Sequence, residues 1–373
     1  MEPLKNLFSP ELVGCMAGHL KRRHPKADEV TFAATVLQEL PRLELKERAQ
    51  LIADQLIRVL PTDAGERHAS LLSMLHPDEH EHANATSDAD GLCGWAVLPM
   101  TLVVGQHGLA DFRGGLEALR EMTKRFSSEF GVRYFLIEDQ STALDIMSRW
   151  IADPNRHVRR LVSEGTRPRL PWAMQLPALV RDPAPVLPLL QALRDDPEPY
   201  VRRSVSNHLN DIAKDHPGLV ADLVEKWIVS ASPDRRSLLR HACRTLIKRG
   251  DSQVLAAFGQ HPPRVSCGAL ELSSTCLAMP GVLGMSVEIT SLAKHVQDLT
   301  VDYVIHFRKA NGSLAPKVFK GSVFSLRPGE ACRFRRSHRF SQITTRRHYA
   351  GSHGVSLRIN GEDTDVVMFD LRV

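Results

Sequence analysis

Two stretches of this chain are versions of one another: WIADPNRHVRRLVSEG, starting at Trp150, and LRDDPEPYVRRSVSNH, starting at Leu193. Asp153-Pro154 falls on Asp196-Pro197 and Val158-Arg159-Arg160 falls on Val201-Arg202-Arg203, at an offset of 43 residues. A weaker copy follows in LRHACRTLI, where Leu239 matches Val201 at an offset of 38, and another precedes in RFSSEF, where Arg125 matches Arg160 at an offset of 35. A period of about 40 residues with room for two helices per unit is the mark of HEAT-like solenoids. One such unit cannot bury its own apolar face, so neighbours stack and equivalent positions line up along one surface.

The helical texture extends beyond the repeats. In DEVTFAATVLQELPRL, KERAQLIADQLIRVL and ALDIMSRWIADP the apolar residues recur at three- and four-residue spacing, and this pattern holds from Leu4 to about Phe258. After Arg264 the texture changes to short alternating or β-branched runs, MSVEITSL, LTVDYVIHF, VSLRI and DVVMFDLRV, separated by the turn signals ANGS, PGE and NGED. The change falls at HPPRVS, residues 261 to 266, where two prolines disfavour helix continuation. The chain is therefore expected to be multidomain, α then β: a HEAT-like α-solenoid over 1–262 followed by an Ig-like β-sandwich over 263–373. All four tryptophans lie before residue 265, so the Cys…Trp…Cys pin of antibody domains is absent, and Trp95, Trp150 and Trp227 read as core residues.

Comparing repeats slot by slot maps the shared surface. Arg125, Arg160, Arg203 and His241 fill a basic slot; Ser128, Ser163, Ser206 and Arg244 lie three residues on; Glu129, Glu164, Asn207 and Thr245 lie four residues on. Those spacings put all three slots on one helix face. Arg followed by Glu four residues later is also an ordinary helix pair worth ~0.2 to 0.5 kcal/mol. Recurrence in register favours a shared surface, as do the extra arginines Arg167 and Arg169 and the apolar packing supplied by Val158, Leu161 and Val162. A stripe of Arg, Ser, Asn and His suits phosphate oxygens, which accept hydrogen bonds.

A second basic patch lies in ACRFRRSHRFSQITTRRHYA, residues 331 to 350, which has six arginines and two histidines without one Asp or Glu. It reads either as an edge strand protected by charge or as a nucleic-acid-contacting loop. The net charge of +5 permits a polyanionic partner. His76, His80 and His82 with Asp78, Glu79 and Glu81 lack zinc-ligand spacing and read as a solvated acidic loop, so no metal is expected. No P-loop, G-x-S-x-G or HExxH occurs, which removes the usual support for nucleotide binding and hydrolase triads. Six scattered cysteines without a CxxC pair fit reduced thiols, and no apolar run reaches membrane-spanning length. A cytoplasmic protein acting away from membranes is expected.

RWIADPNRHVRRLVSEGTRPRLPWA and PYVRRSVSNHLNDIAKDHP, preceded by KRFSSEFGVRYFL and followed by ITTRRHYAGSHGVSL, closely resemble the AlkC group of bacterial DNA alkylation-repair glycosylases over nearly the whole chain. The SEGTRPRLPW block carries the specificity of the match, since a bare HEAT-like pattern would not. The resemblance implies a monofunctional glycosylase that removes cationic alkylated bases, chiefly 3-methyladenine and 3-methylcytosine, from duplex DNA without extruding the damaged nucleotide. A monomer that needs no cofactor is expected.

On that reading Glu164, with Glu129 at the equivalent slot of the preceding repeat, is the expected catalytic carboxylate, and Trp172 packs against the deoxyribose or the lesion. Arg160, Arg167 and Arg169 are expected at phosphates, with Ser163, Arg203, Ser206, Asn207, His241, Arg244 and Lys248 further along the stripe and Arg346 and Arg347 in the β module. The competing reading is a non-catalytic DNA-binding HEAT scaffold in which the same acids are helix salt bridges.

Overall fold

The computed structural model describes residues 3–79, 86–343 and 346–373, so His80, Glu81 and His82 of the histidine-rich stretch lie outside the described residues. The expected order, helices and then strands, holds. Helix starts follow local chemistry: Ser9 caps α1 (Pro10–Arg23), Asp28 caps α2 (Glu29–Glu39), and Glu44 and Glu47 form a capping box at α3 (Leu45–Val59). Asp63 caps α4 (Ala64–Ser73), which packs on α6 (Phe112–Thr123), while α3 packs on α5 (Val97–His107). Next come α7 (Val132–Glu138) and α8 (Gln140–Ser148). Asn155 Oδ1 accepts from the His157 amide at 2.8 Å to start α9 (Arg156–Gly165). Short helices α10 (Pro177–Arg181) and α11 (Leu187–Leu193) lead to α12 (Pro199–Ile212), which opens with proline at its first position. Then follow α13 (Pro217–Ile228), α14 (Pro233–Ala242), α15 (Arg244–Arg249) and α16 (Ser252–Ala257). Among the described residues, no helix is long and apolar enough to cross a membrane.

The chain forms two compact units, Met1–His216 with Pro233–Ala242, and Pro217–Ser232 with Cys243–Val373. Residue 262, the expected domain boundary, marks the change from helix to strand but not this division. In the first unit α6, α9, α12 and α14 pack in succession, each on the next, and α11 packs behind α9 and α12. This is the stacking that the repeats require. Val158, Leu161 and Val162 are fully buried on α9, as are Val201, Val205 and Leu209 on α12.

The second unit joins α13, α15 and α16 to the strands. Gln260 Nε2 donates to Thr300 Oγ1 at 2.7 Å, Asn360 Nδ2 donates to the His261 carbonyl at 2.9 Å, and Arg358 donates to the Lys248 carbonyl. A Cβ on Gly250 would stand 2.4 Å from the Gly361 carbonyl oxygen, and both glycines have positive φ (78° and 91°), so the helical segment and the strand turn meet backbone to backbone. One sheet is built on β4 (Gly281–Ser291), flanked by β1 (Val265–Cys267) and β2 (Glu271–Leu272) on one side and by β7 (Ala331–Phe340) on the other. The other runs β3 (Cys276–Ala278), β10 (Val367–Arg372), β8 (Gly351–Ile359), β5 (Gln297–Arg308), β6 (Leu314–Leu326), with β9 (Glu362–Asp363) on the end of β8. Alternate residues Leu283, Met285, Val287 and Ile289 of β4 face Leu299, Val301, Ile305 and Phe307 of β5 in a single core. The arginine-rich β7 is an edge strand, as its charge pattern suggests.

Candidate active site

The two arginines of each Val-Arg-Arg motif do different work. Arg159 donates through Nη1 to the Asp153 and Pro154 carbonyls at 2.9 and 3.0 Å, and through Nε and Nη2 to Asp196 of the next repeat at 2.6 and 3.0 Å. Arg202 repeats the arrangement, with the Asp196 and Pro197 carbonyls at 2.6 and 2.9 Å and Asp234 at 2.9 Å. Arg120 of α6 likewise donates to Asp153. Each Asp-Pro aspartate thus receives an arginine from the helix before it, which clips successive repeats together. The following arginine, Arg160 or Arg203, is left for a different face.

Around Arg160 that face carries a chain of alternating charges. Arg160 Nη1 donates to Glu129 Oε2 at 2.9 Å and to Ser127 Oγ at 3.1 Å, and its Nη2 lies 3.4 Å from Glu164 Oε1. The Arg160 guanidinium covers the Tyr200 ring at 4.9 Å, a cation–π contact. Arg167 Nη1 donates to the same Glu164 Oε1 at 2.6 Å, and Ser204 Oγ donates to Glu164 Oε2 at 2.6 Å. Arg167 continues to Asp211 Oδ2 through Nε at 2.8 Å, and Lys214 donates to Asp211 Oδ1 at 2.8 Å. Burial opposes the charge of Arg160, but Glu129 and Glu164 outweigh it and raise its pKa.

The two expected carboxylates differ in availability. The Glu164 side chain is 7% exposed and both of its oxygens are engaged. Glu129 is 17% exposed; its Oε2 takes Arg160 and Ser127, while its Oε1 accepts no hydrogen bond among the described residues. Glu129 therefore presents the free carboxylate edge of the cluster.

The other expected residues fall into separate groups. Arg167, expected at a phosphate, is buried between two carboxylates. Ser163 is fully buried, with its Oγ 3.0 Å from Ser204 Oγ, and Ser206 Oγ donates to the Arg202 carbonyl at 2.8 Å. Arg169 makes a two-point pair with Asp215 at 2.7 and 2.9 Å, which a phosphate would have to displace. Arg203 Nη1 lies 3.1 Å from His241 Nε2, which meets Asn207 Oδ1 at 3.1 Å; Arg203, Ser206 and His241 line a polar cleft of about 350 Å³ with Arg202, Asp234 and Ser237. Trp172 is 61% exposed with φ of 67°, and its carbonyl accepts from Lys46 Nζ at 2.8 Å. It lines a mainly apolar cleft of about 430 Å³ with Gln50, Phe130, Tyr134 and Met174, and neither Glu129 nor Glu164 lines that cleft. Arg244 and Lys248 sit on α15 in the second unit. Arg346, whose guanidinium covers Phe307 at 3.8 Å, and Arg347, over Tyr349 at 5.6 Å, belong to the same unit but lie between β7 and β8; neither pairs with a carboxylate among the described residues. The described part of the acidic loop brings the ligand atoms of buried His76 and exposed Asp88 and Asp90 within 4.8 Å of one another.

Sequence reasoning missed Asp211, Ser204, Tyr200 and Ser127. One signal was present: Ser204 occupies the slot that Leu161 fills in the preceding repeat, so a core position has become polar.

Comparison with known proteins gives the chain's family. A family model described as DNA alkylation repair enzyme matches residues 127–246, a span that holds every member of the charge chain. The C-terminal Ig-like domain of uncharacterised protein YhaZ matches residues 266–373. Uncharacterized protein YhaZ of Bacillus subtilis (strain 168) is 36% identical over 375 residues, covering 100% of both chains. The solved structure of Pseudomonas fluorescens alkylpurine DNA glycosylase AlkC, bound to DNA containing an abasic site analog, superposes with a TM-score of 0.85 at 33% identity and covers 100% of both chains. The chain belongs to the AlkC-type DNA alkylation repair family. In this chain the helical region is followed by an Ig-like module. The relative's structure was solved on DNA, so the partner class of that protein is established.

Proposed function

We propose that this protein is a monofunctional DNA glycosylase that hydrolyses the N-glycosidic bond of cationic alkylated bases, 3-methyladenine and 3-methylcytosine, in duplex DNA, the base remaining in the helix. The observation that carries the reading is the free Oε1 of Glu129 at the edge of a buried chain of paired acids and bases. An N3-methylated base already bears positive charge. When the bond from C1′ to the base nitrogen breaks, its electron pair returns to the base and neutralises it, so no strong general acid is needed. Charge develops instead on the sugar, which becomes oxocarbenium-like, and a water must add to C1′ and lose a proton. A fixed carboxylate serves both needs, stabilising the cation electrostatically and accepting the proton.

Glu129 is the group we assign to that role, with Arg160 holding it in place. Glu164 then acts through its partners, since it must release Arg167 or Ser204 before it can meet a substrate. Trp172 offers an electron-rich indole face, which favours a cationic base, while Arg203, His241, Arg346 and Arg347 are proposed for the DNA backbone.

The test is release of free base from methylated duplex DNA. Glu129→Gln should lower the single-turnover rate by about a hundredfold or more, within the range of a general-base contribution, and leave affinity for an abasic-analogue duplex nearly intact. Unchanged release would remove Glu129 from the chemistry. The pairing of Glu164, Arg167 and Asp211 also suits a non-catalytic DNA-binding scaffold, and that reading prevails if the wild-type protein releases no base.

A further inference from the structure

Arg133 is the largest fully buried side chain among the described residues. Its Nε donates to the Met174 carbonyl at 2.7 Å, and its Nη1 donates to the Gly165 and Arg167 carbonyls at 3.0 and 2.8 Å. One guanidinium therefore holds both ends of the segment 165–174, which contains Arg167 near its start and Trp172 near its end. The Gly165 carbonyl belongs to the last turn of α9, where carbonyls lack helical partners and a cation is favourable. Arg133 also stands four residues after Glu129, in the first turn of α7. It thus joins the turn that presents one carboxylate to the loop that inserts a cation between Glu164 and Asp211.

Other buried arginines of the first unit also bind carbonyls: Arg48 takes those of Leu43 and Lys5, and Arg67 takes those of Pro61 and Thr62. These fix connections remote from the charge chain. Arg133 differs in its surroundings, because Arg167, Glu129, Asp211 and Glu164 all act on it electrostatically. Burial, followed by Arg167, lowers its pKa to about 10, and it remains a cation at neutral pH. Its Nη2 is buried without a hydrogen-bond partner among the described residues. Packing closes the arrangement. A Cβ on Gly165 would stand 2.6 Å from Val132 Cγ2, so the end of α9 lies directly against the start of α7.

We infer that Arg133 is a positioning residue for the reaction: it sets the spacing between the Glu129 turn and the 165–174 loop, and so the alignment of Arg167, Glu164 and Trp172. This rests on the glycosylase reading above. Lysine at this position keeps the charge but lacks the planar fork that reaches three carbonyls at once.

The experiment uses the full-length Arg133→Lys protein, with Arg133→Met as a second variant. In Arg133→Lys the single-turnover rate of base release should fall about tenfold to a hundredfold, the scale of an ångström-sized misplacement, while affinity for an abasic-analogue duplex changes by no more than about threefold. Amide exchange across 166–174 should accelerate in both variants relative to exchange in α12. Wild-type release by a folded Arg133→Lys protein would overturn the inference, and so would a loss of DNA affinity as large as the loss of rate. Should Arg133→Met fail to fold, the rate-against-affinity split in Arg133→Lys still decides. Should the wild-type protein release no base, the glycosylase reading falls and takes the catalytic half of the inference with it. Unaltered exchange across 166–174 in Arg133→Lys would, independently, refute the anchoring.

Discussion

His208 shows how a single residue ties the site to the pH of its surroundings. It is fully buried on α12, its Nδ1 meets the Ser163 carbonyl at 2.9 Å, and burial lowers its pKa to about 3. Above its ordinary value near 6.5 the ring is neutral in both folded and unfolded chains, and it adds no pH dependence. Between 6.5 and about 3 only the unfolded chain takes up the proton, so stability should fall with falling pH by about 1.4 kcal/mol per unit from this group. His208→Asn keeps a donor for the Ser163 carbonyl and removes the titration. Urea unfolding at pH 7 and pH 5 should show a smaller loss for the variant than for the wild type. Equal losses would mean that the ring is accessible to protons in the folded state. A neutral ring suits this position, because the positive charges of Arg167 and Arg133 already act on it.

At the level of elements, the clip between repeats makes the sharpest stability prediction. Removing Arg159 leaves the Asp196 carboxylate, 4% exposed, without its arginine, and a buried charge stripped of its partner costs about 3–5 kcal/mol. Arg159→Ala should lower unfolding free energy on that scale, whereas Arg42→Ala, at an exposed pair, should change it by less than about 1 kcal/mol. Similar values for the two would show that the clip contributes nothing special. The repeat itself was legible because Asp-Pro and Val-Arg-Arg recur at fixed spacing, and the alternation of apolar residues in MSVEITSL gave β4 in the same way. Slot comparison also brought Arg160, Glu129 and Glu164 to one place. It missed Asp211, because the partner of Arg167 comes from the far end of the next inner helix, and periodicity within a helix does not encode how deep its neighbour reaches. For the same reason burial of Ser163 and Arg167 was invisible: a polar residue reads as exposed until its cross-repeat partner is known. Gly165 ends α9, and the Val132 side chain packed against it, which leaves no room for a Cβ, was equally invisible.

For the molecule as a whole, DNA affinity should depend steeply on salt. Each phosphate contact contributes a slope of about −0.9 in log K against log salt, so Arg346→Ala and Arg347→Ala should each flatten the plot by about one unit if both cations reach the backbone. Anisotropy titrations with a labelled duplex across a salt series would read this. An unchanged slope would assign both arginines to the aromatic faces they already cover.

The division of the chain has a consequence for how such a protein can be inherited. Helix α14 belongs to the first unit, whereas α13 before it and α15 after it belong to the second. A genetic crossover at the helix-to-strand change near residue 262 would part the strands from Lys248, Gly250 and Gln260, which their loops and strand ends grip. The β module is thus a poor cassette. A crossover near residue 217 would likewise part α14 from α12, on which it packs, so lineages of this architecture should pass on helices and strands as one piece.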